Sequence, residues 1–131
     1  GYVFKYKGVS VTMNGAAKKL IKKAGKPSKK TVKKSCAYKG KDRTYTYKDF
    51  QLKTYSKTNN GAEYVSEIRF RSNKAVTKEG IRIGSSLKDV TKKYGKAKAR
   101  FGVYTFKKGS SKLQIMLNGN KVSAIRYFAS K

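Results

Sequence analysis

The sequence predicts an α+β fold in which two tandem helix-plus-antiparallel-meander modules form one sheet with the helices on one face. The main observation is an internal repeat, because residues 65–70 (Val-Ser-Glu-Ile-Arg-Phe) recur as residues 122–127 (Val-Ser-Ala-Ile-Arg-Tyr). A tandem repeat of this kind fixes the architecture before individual elements are assigned. An Asn-Gly hairpin signal also precedes each of these segments, at 60–61 and 118–119. Shorter segments recur in the same order with changed loop lengths: 23–27 with 93–97, 45–47 with 104–106, and 50–52 with 113–115.

The elements of the first module, about residues 9–73, follow from hydrophobic periodicity. Alternating apolar residues in 2–13 predict a strand that is broken near a central glycine. Asn14 is predicted to cap an amphipathic helix that ends at Gly25. Residues 28–43 have no counterpart in the second copy, so we interpret them as a long Lys-rich connection. Three strands are then predicted, at 44–48, 50–56 and 63–71.

The second module, about residues 81–128, repeats this order without the insertion. Ser86 is a good N-cap residue, and Asp89 stands three positions later, as in a capping box. The helix is predicted to stop at Gly95. Residues 72–80 join the copies and contain no Pro or Gly cluster, so residues 1–131 are interpreted as a single domain. Strands are predicted at 103–107, 112–117 and 121–128.

One layer of helices cannot cover both faces of such a sheet, so one face is predicted to be open. Strand parity directs six apolar side chains toward the helices: Phe50, Leu52, Ile68, Phe70, Ile125 and Tyr127. The opposite parity defines a candidate binding set on the open face: Gln51, Lys53, Tyr55, Arg69, Arg71, Gln114, Arg126 and Phe128. A mixture of cations and aromatics is typical of protein-binding surfaces. The alternative is the ordinary polar alternation of any half-exposed antiparallel sheet.

The charge of the chain is extreme, with 34 Lys and Arg residues against 6 Asp and Glu residues and a net charge of +28. Lysines outnumber arginines 28 to 6, which favours diffuse attraction to polyanions over bidentate phosphate recognition. The densest region is a candidate polyanion-binding stripe: Lys18, Lys19, Lys22, Lys23, Lys26, Lys29, Lys30, Lys33 and Lys34. Its partners would be teichoic acids, nucleic acid or an anionic membrane surface. The alternative is a solvated helix face.

The composition argues against catalysis and metal binding. The chain has no His, and its acids form no recognisable acid–base pair or nucleophile motif, so we expect no enzyme, no catalytic residue, no metal and no cofactor. Its one cysteine, Cys36, excludes an internal disulfide and is predicted to be a buried small apolar residue. No apolar run reaches the roughly 18 residues of a membrane span.

Three segments carry a family resemblance: residues 83–90 (Ile-Gly-Ser-Ser-Leu-Lys-Asp-Val), 94–97 (Tyr-Gly-Lys-Ala) and 122–127. Over about residues 9–128, the chain resembles the β-lactamase-inhibitor-protein fold. That fold pairs two modules similar to the outer-membrane assembly lipoprotein of the SmpA/OmlA type. The resemblance implies a secreted or cell-surface protein of a bacterial envelope, with a concave sheet face that docks proteins. The chain departs from the inhibitor in being basic and in lacking an internal disulfide.

These observations predict a non-enzymatic, secreted or cell-surface bacterial binding protein. Its Lys-rich surface would attract an anionic cell-envelope polymer, and its open sheet face would bind a protein or peptide. The first alternative is a nucleic-acid-binding protein, which aromatics beside arginines on an exposed sheet favour, whereas the low Arg count and the absence of a basic helix-turn-helix oppose it. The second alternative is an enzyme-inhibitor-like protein, which only the resemblance supports.

Overall fold

An antiparallel sheet dominates the fold in the computed structural model, which describes residues 1–130. Strands account for 48% of the chain and two helices for 12%, so the α+β class is confirmed. The elements are, in order, β1 (Val3–Tyr6), β2 (Val9–Thr12), α1 (Lys18–Ala24), β3 (Lys29–Lys34), β4 (Lys41–Thr46), β5 (Phe50–Ser56), β6 (Glu63–Phe70), α2 (Leu87–Tyr94), β7 (Val103–Lys108), β8 (Ser111–Asn118) and β9 (Lys121–Ala129).

Seven strands form the main sheet in the order β3-β4-β5-β6-β9-β8-β7, with every neighbouring pair antiparallel. The N-terminal strands β3–β6 meet the C-terminal strands β7–β9 at one place, the pairing of β6 with β9. This ladder has a short register in which Arg69 lies directly opposite Arg126 and Ile68 lies opposite Tyr127. The continuity of the sheet across its middle therefore depends on a few central residues.

Strand parity was predicted correctly for the two faces of this sheet. The six side chains directed inward are all buried: Phe50, Leu52, Ile68, Phe70, Ile125 and Tyr127. Leu20 of α1 and Val90 of α2 belong to the same hydrophobic core. The eight candidate residues of the opposite parity are exposed or half-buried, as expected for an antiparallel sheet with one covered face. Val65 and Val122 share this parity but are buried, because both lie where the pairing of their ladder shifts register.

The hairpin of β1 and β2 packs on the core instead of joining the main sheet. The predicted break is its two-residue turn, where Lys7 and Gly8 have φ angles of 48° and 84°. Positive φ at both positions is the type I′ geometry that suits a two-residue hairpin. Phe4 is fully buried, and its ring lies 5.3 Å from that of Phe50 and 5.5 Å from that of Phe70. The hairpin thus covers part of the apolar sheet face formed by Phe50 and Phe70.

Backbone hydrogen bonds tie the segment before each helix to the strand that ends each half of the main sheet. Residues 14–17, before α1, bond to the start of β6, and residues 84–87, before α2, bond to residues 120–122 at the start of β9. The N–H to C=O bonds are Asn14 to Val65 (2.7 Å), Val65 to Gly15 (2.9 Å), Ala17 to Glu63 (3.0 Å), Gly84 to Val122 (2.8 Å), Val122 to Ser85 (2.8 Å) and Leu87 to Asn120 (2.9 Å).

The helix starts show one confirmed and one wrong prediction. Ser86 caps α2, because its hydroxyl accepts a hydrogen bond from the Asp89 N–H at 3.1 Å. Asn14 does not cap α1, which begins at Lys18 after Ala17 and has no side-chain cap. The reason is that Asn14 adopts a left-handed φ of 65° and gives its N–H to the carbonyl of Val65. The contact with β6 therefore replaces a local cap.

The Lys-rich connection 28–43 is also corrected, because its first part is the edge strand β3. All six β3 residues are exposed, and β4 is their one strand neighbour. A strand with no buried face lacks the alternating apolar pattern by which strands are recognised in sequence. Lysines on an edge strand also oppose pairing with other chains, which gives a structural reason for this composition.

We predict that two adjacent residues of β6 contribute very differently to stability. Ile68→Ala should lower the free energy of unfolding by roughly 2–5 kcal/mol, because it opens a cavity in the core. Arg69→Ala should change it by about 0.5 kcal/mol or less, because the side chain projects from the open face. Urea unfolding of both variants measures the contrast. Equal losses would show that the two faces are misassigned.

Candidate functional site

A continuous row of polar side chains crosses the open face, with one residue on each of six strands. We call it the central row: Thr46 (β4), Gln51 (β5), Arg69 (β6), Arg126 (β9), Gln114 (β8) and Thr105 (β7). Each residue lies opposite the next one on the adjacent strand. The order of residue types, Thr-Gln-Arg-Arg-Gln-Thr, is the same from either end of the row. Four of its six members belong to the candidate set read from the sequence. The two threonines were missed, because only the strand register places them in the row.

Glu67 holds the positive centre of this row together. Its carboxylate lies 3.1 Å from the guanidinium of Arg126, 3.5 Å from that of Arg69 and 3.9 Å from the ammonium of Lys53. These are the three ion pairs within residues 1–130, and the Glu67 side chain is 14% exposed. Like charges directly opposite in a ladder destabilise a sheet, so this carboxylate offsets the repulsion between the two arginines. Strand parity directs Glu67 to the open side, but the candidate set did not include it.

Arg126 is fixed by three partners. Its guanidinium donates to Glu67 at 3.1 Å and to the side-chain carbonyl of Gln114 at 2.8 Å. It also lies over the Phe128 ring, 4.4 Å from the centroid, in cation–π geometry. The Arg126 side chain is 32% exposed. Such an arginine is pre-organised, so little side-chain entropy is lost when it contacts a ligand.

Arg69 is held much more loosely, although it occupies the facing position. Within the described part of the chain, its guanidinium makes one hydrogen bond, at 3.5 Å to Glu67, and its side chain is 52% exposed. A cavity of about 220 Å³ opens beside it, lined by Arg69, Gln114, Met116, Ala124, Ile125 and Arg126. Met116 is 45% exposed there. This cavity combines cationic donors with an apolar wall.

A second, larger groove of about 600 Å³ lies toward the β3 edge and includes the candidate residues Lys53 and Tyr55. The Tyr55 ring stacks on Tyr38 at 5.1 Å, and its hydroxyl donates to Asn14 at 3.0 Å. Burial, with the neighbouring rings of Tyr38 and Tyr64, raises the pKa of Tyr55 above its usual value. Residues 35–38 of the connection line this groove, a contribution that the sequence pattern did not indicate.

Cys36 lines the larger groove and is an exposed free thiol, so the prediction that it is buried is wrong. The loop between β3 and β4 carries it away from the core.

Arg71 lies just beyond β6, where its backbone N–H bonds to Asp49 and its guanidinium donates to the carbonyl of Tyr47. This bond ties the Arg71 side chain to the β4–β5 turn.

The nine lysines of the polyanion-binding stripe are exposed, but they lie on two different elements. Four are on α1 and four are on β3, with Lys26 between the elements. Successive β3 residues point to opposite faces. Accordingly, Lys33 lines the larger groove of the open face, whereas Lys30 lies over the buried ring of Tyr45 at 5.1 Å. The stripe is therefore divided between surfaces.

Three other acids accept hydrogen bonds from hydroxyl groups instead of pairing with lysines. Glu63 accepts from Tyr45 and Thr54, both at 2.7 Å. Glu79 accepts from Tyr94 at 2.7 Å. Burial and then the Glu63 contact raise the pKa of Tyr45 above its usual value. Asp49 likewise accepts from Tyr6 at 3.2 Å and from Ser72 at 2.8 Å. These carboxylates stabilise the fold through hydrogen bonds near the core.

The described residues offer neither a metal-binding cluster nor a membrane-spanning helix. Within residues 1–130, His, Cys, Asp and Glu side chains form no group of three suited to a metal ion. Neither helix is long and apolar enough to cross a membrane. No protein-family model, curated protein or solved structure matches the chain. The resemblance to the β-lactamase-inhibitor-protein fold therefore stays a prediction, and the open face is the candidate functional site.

Proposed function

We propose that this chain is a non-enzymatic, secreted or cell-surface bacterial protein whose open sheet face binds an acidic protein or peptide. Its Lys-rich surface would attract anionic polymers of the cell envelope. The observation that carries the proposal is the central row, where Arg69 and Arg126 lie opposite each other beside one shared carboxylate. The resemblance alone supports the envelope setting.

The proposal includes the tandem-module architecture, in which equivalent strands of the two copies meet at the centre of the sheet. The registers support it, because Gln51 faces Arg69 in the first half as Gln114 faces Arg126 in the second. Each of these ladders also shifts register two residues further along, between Lys53 and Thr54 and between Met116 and Leu117. Bulges at matching positions are difficult to explain without a common origin, since they are conserved design features of sheets.

The segments before the helices support the same architecture. The three backbone bonds of residues 14–17 with β6 have the same pattern as those of residues 84–87 with residues 120–122. Both helices bury one residue in the core that Ile68 and Ile125 share, which supports their placement on one side of the sheet. The binding surface would then be a duplicated surface whose two copies meet at the central row.

Electrostatics favour an acidic partner for this face. A net charge of +28 attracts anions over long distances and raises their rate of encounter. At close range, arginines with aromatic neighbours are the side chains that most often dominate binding energy. Arg126 with Phe128 supplies a rigid anchor, and Arg69 supplies an adaptable one.

The larger groove favours a second candidate function, the binding of single-stranded nucleic acid. Tyr38 is 43% exposed there, and the cations Lys33, Arg43 and Lys53 line the same groove. Bases stack on aromatic side chains beside positive charges in such proteins. However, the Tyr38 ring already stacks on Tyr55, which occupies one of its faces. Nucleic-acid binding is therefore the alternative result that the peptide titration below would reveal.

We predict that retention on a teichoic-acid or heparin column falls steeply with salt, and that the α1 lysines contribute more than scattered lysines. Changing the α1 lysines to Gln should reduce retention because they form one dense patch. The variant changes Lys18, Lys19, Lys22 and Lys23, and the charge-matched control changes Lys88, Lys98, Lys107 and Lys121 of the second module. Equal losses would show that total charge alone determines retention.

We predict that an oligoglutamate peptide binds the open face at about 0.15 M salt, where attraction to exposed lysines is strongly screened. Titration followed by amide NMR should give the largest shifts near Arg69, Gln114 and Arg126. Shifts confined to α1 and β3 would contradict the proposal and leave diffuse Lys attraction. An oligothymidine that shifts the groove of Tyr38 and Tyr55, with oligoglutamate causing no open-face shifts, would favour the nucleic-acid function instead.

A further inference from the structure

The two halves of the open face differ at one position that the tandem architecture makes comparable. Lys53 faces Glu67 across β5 and β6, and at the matching place Met116 faces Ala124 across β8 and β9. An ion pair in one half is therefore an apolar pair in the other. The carboxylate that neutralises Arg126 has no counterpart at Ala124.

Arg126 also has more side-chain partners than Arg69. Arg126 is bound by Glu67, Gln114 and the Phe128 ring, whereas Arg69 makes one hydrogen bond within the described residues, at 3.5 Å. A guanidinium carries five N–H donors, so Arg69 retains most of its hydrogen-bonding capacity. The cavity of about 220 Å³ lies beside Arg69 and over Ala124, where the missing carboxylate would be.

We propose that this cavity is a binding subsite for a carboxylate side chain of the partner. A glutamate or aspartate of an acidic protein would accept hydrogen bonds from Arg69, as Glu67 accepts them from Arg126. Its methylene groups would pack on Met116 and Ala124. The inference rests on the proposed function and deepens it, because it names the chemical group that the partner inserts and the residues that receive it.

Two features favour a carboxylate over a nucleic-acid phosphate. Glu67 already demonstrates within this molecule that a carboxylate fits beside an arginine of the central row. The wall formed by Met116 and Ala124 is apolar and suits the methylene groups of a glutamate or aspartate side chain.

The test supplies the missing carboxylate from the protein itself. In Ala124→Glu, the introduced carboxyl should pair with Arg69, so its pKa, followed by NMR, should lie below the usual value of about 4.3. The variant should lose oligoglutamate affinity by roughly tenfold or more. Ser110→Glu, an exposed turn position away from the cavity, is the charge-matched control and should lose much less. Arg69→Gln should lose affinity to a similar extent as Ala124→Glu.

The outcomes separate this inference from the proposed function. Equal affinities for Ala124→Glu and Ser110→Glu, with wild-type binding intact on the open face, would overturn the subsite and leave the proposed function standing. A normal pKa of the introduced carboxyl would also overturn the subsite. No open-face binding of oligoglutamate by the wild-type protein would overturn both. Urea unfolding of each variant confirms that the comparison is made between folded proteins.

Discussion

Two arginines face each other across the ladder on which the continuity of the main sheet depends. Arg69 and Arg126 lie in register between β6 and β9, the strands that join the N-terminal and C-terminal halves of the sheet. Their repulsion opposes this pairing, and Glu67 offsets it through contacts at 3.1 Å and 3.5 Å. In a chain of net charge +28, one carboxylate thus stabilises the central joint and holds the proposed binding face in place.

The remaining structure is consistent with this use of scarce negative charge. Glu63, Glu79 and Asp49 accept hydrogen bonds from hydroxyl groups near the core, so they stabilise the fold without neutralising surface lysines. The lysines keep their charge exposed on α1 and along β3. Long-range attraction by the lysines and close contact at the central row would therefore depend on different side chains. Lysine charge would concentrate acidic partners near the protein, and the arginines of the central row would bind them.

The sequence predicted the parts of the fold that have a periodic pattern. The β5 bounds, the inward parity of Ile68 and Ile125 and the cap at Ser86 were predicted correctly. Edge strand β3 was missed because it buries no face, and the displacement of the β1–β2 hairpin depends on tertiary packing. Four of the six residues of the central row were also predicted, since strand parity selected its arginines and glutamines. The contacts of Glu67 and the cavity over Ala124 could not be predicted, because they depend on the register between strands, which the sequence of one strand does not determine.

A double-mutant cycle between Glu67 and Arg126 measures how much this carboxylate stabilises the pairing of β6 with β9. Urea unfolding of Glu67→Ala, Arg126→Ala and the double variant gives the coupling free energy of the pair. We expect a favourable coupling of roughly 1–3 kcal/mol, as for partly buried groups in contact. The cycle of Glu67 with the more exposed Arg69 should give less, about 0.2–1 kcal/mol. A Glu67–Arg126 coupling near zero would show instead that this ion pair does not stabilise the pairing of β6 with β9.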